Sequence, residues 1–578
     1  MSTETTQQVS ILRSYFILGM LLLSAVLLIW RMIDLHVLRH DFLQGEGNAR
    51  ALRVVGMAAH RGTVTDRHGE PLAISTPVDS IWANPQELNL HRERLPELAR
   101  ALGMKTDRLQ QLVGARRDRE FVYLRRHSHP DMVQKVKALQ IPGVELEREY
   151  RRYYPAGEVT GHVVGFTNID DEGQEGLELA YDDHLRGKPG SKRVVKDRLG
   201  QIIKNVESIK VPESGGELAL SIDRRIQYLA YSELKKAVQQ HKAQSGSAVV
   251  LDVQTGEVLA MVNQPSFNPN NRRNLRGDRY RNRVVTDVFE PGSTLKPFTV
   301  AAALESGDYT PATQIKTAPG FFKVGSNTVR DSNNLGTIDV TTVLQKSSNV
   351  GASKMALAIS PEQHWHMLAR MGFGEITGSG FPGESSGLLS GYRKWREIDR
   401  ATLAYGYGIS TTLLQLAHAY SVIAGDGYMR PVSLQRVDNL NAVKEQQQQV
   451  ISTHTAQQIK TMLESVVLKG GTGTRAAVSN YHVAGKTGTV RKSGVGGYLE
   501  DRYLSVFAGM APASHPRLVM AVMVNEPDNG VYYGGQVAAP VFSRVMSGAL
   551  RLLNIAPDDL PDTPPQLAST AVQPGGGL

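Results

Sequence analysis

Ser293 follows the turn-forming pair Pro291-Gly292 and stands three residues before Lys296, in the stretch FEPGSTLKPF. Serine is a weak nucleophile until a base takes its proton. Three residues on, a lysine lies on the same helical face one turn below, close enough to hydrogen-bond the serine oxygen. Burial and a nearby cation lower a lysine pKa, so it can be that base. The pair alone is a weak signal, because Ser232 and Lys235 repeat its spacing inside an amphipathic stretch with no turn before it. That copy reads as a solvated face. KSSNVG sets Ser347 two residues before Asn349, a hydroxyl that can relay a proton and an amide that can hold an amide substrate; Ser266 with Asn268 and Ser332 with Asn334 share the spacing. VAGKTGTV then offers Lys486, Thr487, Gly488 and Thr489: a cation, hydroxyls, and a backbone N–H beside a glycine that permits close approach. Each pattern arises by chance in a long chain, but all three in this order rarely do.

The elements that must position these residues are readable around them. Asp223 can cap a helix carrying Ile226, Leu229, Leu234 and Ala237 at helical spacing. SAVVLDV and EVLAMV flank Gln254-Thr255-Gly256 as a β-hairpin. YLSVFAGMAP and LVMAVMVN are two further strands, and PVFSRVMSGALRLL is a closing helix. The order predicts an α+β fold in which helices pack on an antiparallel sheet. Residues 31–216, rich in arginine and turn formers, read as a mixed α+β domain without chemistry, and 217–553 as the domain that carries it. Beyond Asn554 the proline- and glycine-rich tail, 554–578, reads as disordered.

With 578 residues there is room for more than one core, and 41% hydrophobic against 21% charged residues excludes wholesale disorder. Cysteine is absent, which excludes disulfides, thiolate metal sites and a cysteine nucleophile, and fits an oxidising compartment. Ser14–Trp30 has no charge and lies between Arg13 and Arg31, with Tyr15 and Trp30 where interfacial aromatics belong. It reads as a transmembrane anchor after a short segment, 1–13. No small-x-small cleavage site follows, so the anchor is expected to be retained. Basic residues do not orient it, but the bulk of the chain lies on one side and the missing cysteines favour the outside. The basic clusters at 116–126 and 272–283 alternate with acids and match no nucleic-acid motif, so no nucleic-acid partner is expected.

At the three motifs the chain resembles the class B penicillin-binding proteins, of the FtsI-type division transpeptidases of Gram-negative bacteria. Longer stretches carry the resemblance across nearly the whole chain: HRGTVTDRHGEPLA (60–73), RRYYPAGEVTGHVVGFTNIDDEGQEGLE (151–178), ATLAYGYGIS, GGTGTRA and GGQVAAPVF. It implies a peptidoglycan D,D-transpeptidase with a single inner-membrane anchor, a non-catalytic pedestal (31–216) and a periplasmic transpeptidase domain (217–553). It also implies inhibition by β-lactams and work beside septal cell-division membrane proteins, including a glycosyltransferase partner. Carried over to these residues, Ser293 attacks the penultimate D-alanine carbonyl of a stem pentapeptide donor, and Lys296 is the base. Ser347 passes the proton to the leaving amine, Asn349 holds the substrate amide, and Lys486 supplies positive charge. Thr487 and Thr489, with Gly488 between them, bind the carboxylate, and the backbone N–H groups of Ser293 and Thr489 stabilise the oxyanion. An amine acceptor completes the reaction, with no metal and no cofactor. Tyr503, Tyr532 and Tyr533 follow the third motif and could line the acyl pocket; Tyr405 and Tyr407 read as packing, and Glu290 with Arg491 as a candidate ion pair. A hydrolytic cousin would share the motifs, but S-S-N stands where class A β-lactamases have S-D-N, and no ExxLN-type stretch offers a deacylating glutamate. A decayed membrane scaffold is disfavoured by the intact Ser293, Lys296, Ser347 and Lys486.

Overall fold

The structure, a computed structural model, describes residues 4–43, 52–196, 202–273, 277–494 and 497–560. The N-terminal helix Glu4–Ile33 contains the apolar run and continues as an irregular turn over Asp34–Leu38. Its large apolar side chains from Tyr15 to Ile33 are exposed, and Arg13–Leu38 is long and apolar enough to cross a membrane. At about 1.5 Å per residue these 26 residues exceed a hydrocarbon core of roughly 30 Å.

Two compact units divide the described chain, and each draws on several segments. The first comprises Met1–His60, Pro77–Arg151 and Gly187–Ser214; the second comprises Arg61–Thr76, Arg152–Arg186 and everything from Gly215. In the first, strands Leu52–Met57, Gly190–Lys196 and Ile202–Lys210 form an antiparallel sheet. A separate core gathers Ile81, Leu88, Leu98, Leu102, Leu109 and Val136 from short helices and strands.

Two stretches from the first half of the sequence are thus part of the second unit, and an ion network joins them to each other. Arg61 Nε donates to Glu178 Oε2 at 2.7 Å and its Nη1 to Asp182 Oδ1 at 2.7 Å, while Arg152 Nε donates to Glu178 Oε1 at 2.6 Å. Arg61, Arg152 and Glu178 are almost wholly buried. Removing Glu178 would leave Arg152 a buried charge without its ion-pair partner.

In the second unit, helix α1 (Arg224–Gln240) starts at Asp223, whose carboxylate accepts from Arg225 N at 2.9 Å. Strands β1 (Ser245–Asp252) and β2 (Val258–Gln264) form the expected hairpin, with a bulge at Val250/Leu251. Later come β3 (Ala484–Gly494), β4 (Gly497–Ala511) and β5 (Leu518–Asn525). The antiparallel order is β2-β1-β5-β4-β3, which leaves β3 at an edge.

Successive side chains of a strand point to opposite faces, and both faces of this sheet are covered. Val249, Leu251, Met261, Val519 and Ala521 join a core with the wholly buried helix α5 (Leu413–Ala424). Ala248, Val250, Leu259, Met520 and Val522 join the opposite core with α1 and the closing helix α7 (Ala539–Leu552). Between the hairpin and β3 lie α2 (Lys296–Glu305), α3 (Val340–Lys346), α4 (Asn349–Ala358) and α6 (Thr453–Val467). The start of the tail is tied down: Tyr481 Oη donates to Ile555 O at 2.7 Å, and Asp558 accepts from His482 N at 2.8 Å. Residues 561–578 lie outside the described residues.

Candidate active site

Ser293 sits in a 3₁₀ turn, Gly292–Leu295, that leads directly into α2. Gly292 adopts φ +56° and Gly406 φ +87°, conformations that glycine reaches without strain. A Cβ on Gly406 would stand 2.2 Å from Gly292 O. The two backbones are in contact there, with Gly292 N donating to Gly406 O at 3.2 Å. From the buried helix α5, Tyr420 Oη donates to Thr294 O at 2.9 Å, and Thr294 Oγ1 donates to Pro291 O at 2.7 Å. The turn that carries Ser293 is held from both sides.

Lys296 is fully buried. Its Nζ donates to Ser347 O at 2.5 Å, Ser347 Oγ at 3.1 Å and Asn349 Oδ1 at 2.8 Å. The Lys296 amine thus faces three acceptors from the S-S-N turn, and the expected hydrogen bond from Lys296 to Ser293 is not made. Among the described residues the Ser293 hydroxyl has no hydrogen bond; such catalytic contacts often tighten only with substrate bound. Burial pushes the Lys296 pKa well below the ordinary lysine value, Lys486 adds to the fall, and Asp331 opposes it. Ser347 ends α3 at φ +62°, and Ser348 caps α4 by accepting from Gly351 N at 2.9 Å. The tight link between the two helices thereby turns the Ser347 carbonyl and hydroxyl and the Asn349 amide onto one lysine.

Lys486, Thr487, Gly488 and Thr489 lie on the edge strand β3, in register with Ala508, Phe507, Val506 and Ser505 of β4. Gly488 is where β3 meets the turn that carries Ser293: a Cβ there would stand 3.0 Å from Thr294 Cγ2 and 3.2 Å from Pro291 O. Lys486 is fully buried, and burial lowers its pKa to about 7; its Nζ donates to Thr487 O at 3.3 Å. Thr487 and Thr489 are held by partners outside the motif, Thr472 Oγ1 at 2.8 Å and Gly534 N at 3.0 Å. Two of the other copies of the short patterns are occupied elsewhere: Lys235 Nζ donates to Glu158 Oε1 and Tyr231 Oη, and Ser266 Oγ to Glu158 O. No group of metal-ligating side chains occurs among the described residues.

The penicillin-binding protein transpeptidase domain matches residues 246–547, and the penicillin-binding protein dimerisation domain matches 57–220. Peptidoglycan D,D-transpeptidase FtsI of Escherichia coli (strain K12) is 44% identical over 547 residues, 94% of this chain and 92% of that protein. The chain belongs to the penicillin-binding proteins. A second relative, the probable peptidoglycan D,D-transpeptidase PbpC of Pseudomonas aeruginosa, is 42% identical across 96% of this chain and 97% of its own. Among solved structures, penicillin-binding protein 3 of Mycobacterium tuberculosis, complexed with aztreonam, matches with a TM-score of 0.67 at 29% identity, over 87% of this chain and 98% of that one.

Around this penicillin-binding protein's three motifs the tyrosines form two groups. Tyr503 and Tyr532 stack at 4.1 Å and 11°, and Tyr533 extends the stack at 4.7 Å from Tyr532. Ser505 Oγ ties Tyr532 down by donating to its carbonyl at 2.6 Å. Tyr405, Tyr407 and Tyr498 meet edge to face at 5.5 Å each, beside Glu290. Glu290 and Arg491 line one cavity of about 220 Å³ but form no ion pair. Glu290 Oε1 accepts instead from Gly408 N at 2.9 Å and Tyr498 Oη at 3.3 Å, and burial raises its pKa. The carboxylate finds neutral donors from the 405–408 segment and the β3–β4 hairpin, which adjacency in sequence could not indicate.

The largest omission from the sequence reading is Asp331. Its carboxylate accepts from Ser348 Oγ at 2.6 Å, Asn349 N at 2.5 Å and Val350 N at 3.0 Å, so it anchors the turn that carries Ser347 and Asn349. A lone aspartate in a polar stretch gives no such signal until the fold brings it to the N-terminus of α4. Asp331→Asn keeps the shape but replaces one acceptor oxygen with an amide donor facing N–H groups. Since misplacing reacting groups by about 1 Å can cost about 10² in rate, we expect penicillin acylation to slow by about ten- to a hundredfold. Stopped-flow acylation checks this, and an unchanged rate contradicts it.

Proposed function

We propose that Ser293, Lys296, Ser347, Asn349 and the Lys486–Thr489 segment perform peptidoglycan D,D-transpeptidation through a serine ester. The observation that carries the assignment is the fully buried Lys296, bonded to Ser347 and Asn349 one turn from an unbonded serine hydroxyl. Neutral Lys296 takes the Ser293 proton as Oγ attacks the penultimate D-alanine carbonyl of the donor. The C–N bond to the terminal D-alanine breaks, and Ser347 relays a proton to the departing amine, leaving an ester on Ser293. Backbone N–H groups of Ser293 and Thr489 hold the oxyanion in both addition steps, a contribution of about 10²–10³ in rate per donor. Asn349 holds the donor's amide. Thr487 and Thr489 hold its carboxylate near Lys486, with Gly488 allowing the close approach. An acceptor amine then attacks the ester and gives up a proton to Lys296; the acyl C–Oγ bond breaks, the cross-linking amide is released, and Lys296 passes that proton back to Ser293 Oγ, restoring the neutral lysine and the serine hydroxyl. The stacked Tyr503, Tyr532 and Tyr533 form the outer wall of the acyl pocket.

In this reading the N-terminal helix is a single inner-membrane anchor and the catalytic unit lies in the periplasm. Residues 31–216 serve mainly as pedestal, 217–553 carry the chemistry, and the tail takes no part. The enzyme works at the division septum beside other membrane proteins, a glycosyltransferase among them. A fluorescent penicillin added to membranes containing the full chain is expected to label the wild type at full-length mass and to leave Ser293→Ala unlabelled. Equal labelling of the variant overturns the nucleophile, and a mature N-terminus at residue 32 or later overturns the anchor.

A further inference from the structure

Next to the S-S-N turn stands a cation that the proposed mechanism does not use. Arg330 ends a short strand, Asn327–Arg330, that pairs antiparallel with Phe321–Val324. Val329 packs into a small core with Val350 and Ala401. Because successive side chains alternate, Arg330 points away from that core and is exposed. Its guanidinium lies over the Phe321 ring at 5.3 Å from the centroid, a contact that holds a long side chain in place while leaving its N–H edge free. No described side chain or carbonyl accepts a hydrogen bond from it.

The position of Arg330 ties it to the catalytic residues through the main chain. Its carbonyl accepts from Asn349 Nδ2 at 3.0 Å, and the same amide accepts from Lys296 Nζ through Oδ1 at 2.8 Å. Asp331, the next residue, anchors that turn. Changing the Arg330 side chain therefore leaves both contacts available while removing an exposed fork of donors, held over Phe321, from the residue whose carbonyl holds the amide proposed to bind substrate.

We propose that Arg330 is a specificity-determining residue that engages a carboxylate of the peptide substrate other than the one at its scissile end. Arginine suits this task because its planar guanidinium matches a carboxylate with two parallel hydrogen bonds. The proposal rests on the transpeptidase reading of the site, and penicillin labelling of Ser293 separates the two. A chain that is not labelled fails as a transpeptidase, whereas one that labels normally can fail only this proposal.

The test uses full-length protein in detergent and two synthetic pentapeptides ending in D-alanyl-D-alanine, one with a free side-chain carboxylate and one with that group as its primary amide. For Arg330→Gln we expect KM for the free-acid peptide to rise about tenfold with kcat nearly unchanged. KM for the amidated peptide and the rate of penicillin acylation should each stay within twofold. Arg330→Lys, which keeps the charge but loses the fork, should raise KM for the acid by only about threefold. Equal effects on the two peptides overturn the proposal, as does no effect on either. A parallel fall in penicillin acylation also overturns it, because the side chain would then be supporting the turn and not reading the substrate.

Discussion

Lys296→Arg should lower the rate of penicillin acylation by about 10³-fold or more, although it preserves a positive charge at the site. Removing a proton acceptor costs about 10²–10⁴, and arginine stays protonated at any accessible pH. The fully buried environment and the charge of Lys486 push the Lys296 pKa down, and that allows a lysine to be neutral here. No burial of this kind neutralises a guanidinium. The sign of the pH dependence follows: the reactive form is deprotonated, so wild-type acylation rises as pH climbs through the lowered pKa and is flat above it. Asp331 holds that pKa up against the other two influences, so Asp331→Asn should move the rising limb to lower pH even as it slows the reaction. Stopped-flow acylation from pH 5 to 9, with circular dichroism to show that each variant is folded, checks both. A Lys296→Arg enzyme within tenfold of wild type would remove the lysine from the role of base.

What the sequence disclosed was mostly local. The turn before Ser293, the hairpin at Gln254-Thr255-Gly256, the strand-like Lys486–Thr489 and the closing helix each depend on neighbours within a few positions, and each lies where it was expected. The partners that make those pieces into a site come from far along the chain. Gly406 and Tyr420 hold the turn of Ser293, Thr472 and Gly534 hold the threonines of β3, and Asp331 holds the helix link. None has a spacing relation to the residue it serves, so no periodicity reveals it. Glu290 shows the opposite error: sequence adjacency to a motif suggested Arg491, but packing supplied Gly408 and Tyr498. The course of the chain through the two units was hidden for the same reason. Arg61, Arg152 and Glu178 all stood in recognisable stretches, yet only the fold makes them one buried network.

On the proposed mechanism the acyl-enzyme is a serine ester that water does not readily cleave. A transpeptidase must keep its acyl-enzyme from water until an amine arrives. In this site Lys296 and Lys486 are enclosed within the protein, and the chain lacks the glutamate motif with which class A β-lactamases activate water for deacylation. A ring-opened penicillin on Ser293 should therefore persist far longer than one catalytic turnover. Intact-mass spectrometry over several hours after mixing with benzylpenicillin, followed by peptide mapping, tests this most directly. One stoichiometric adduct on Ser293 is expected, absent in Ser293→Ala, with no appreciable drug consumed beyond it. Rapid return of unmodified protein with multiple-turnover consumption of penicillin would contradict it and mark the chain as a hydrolase.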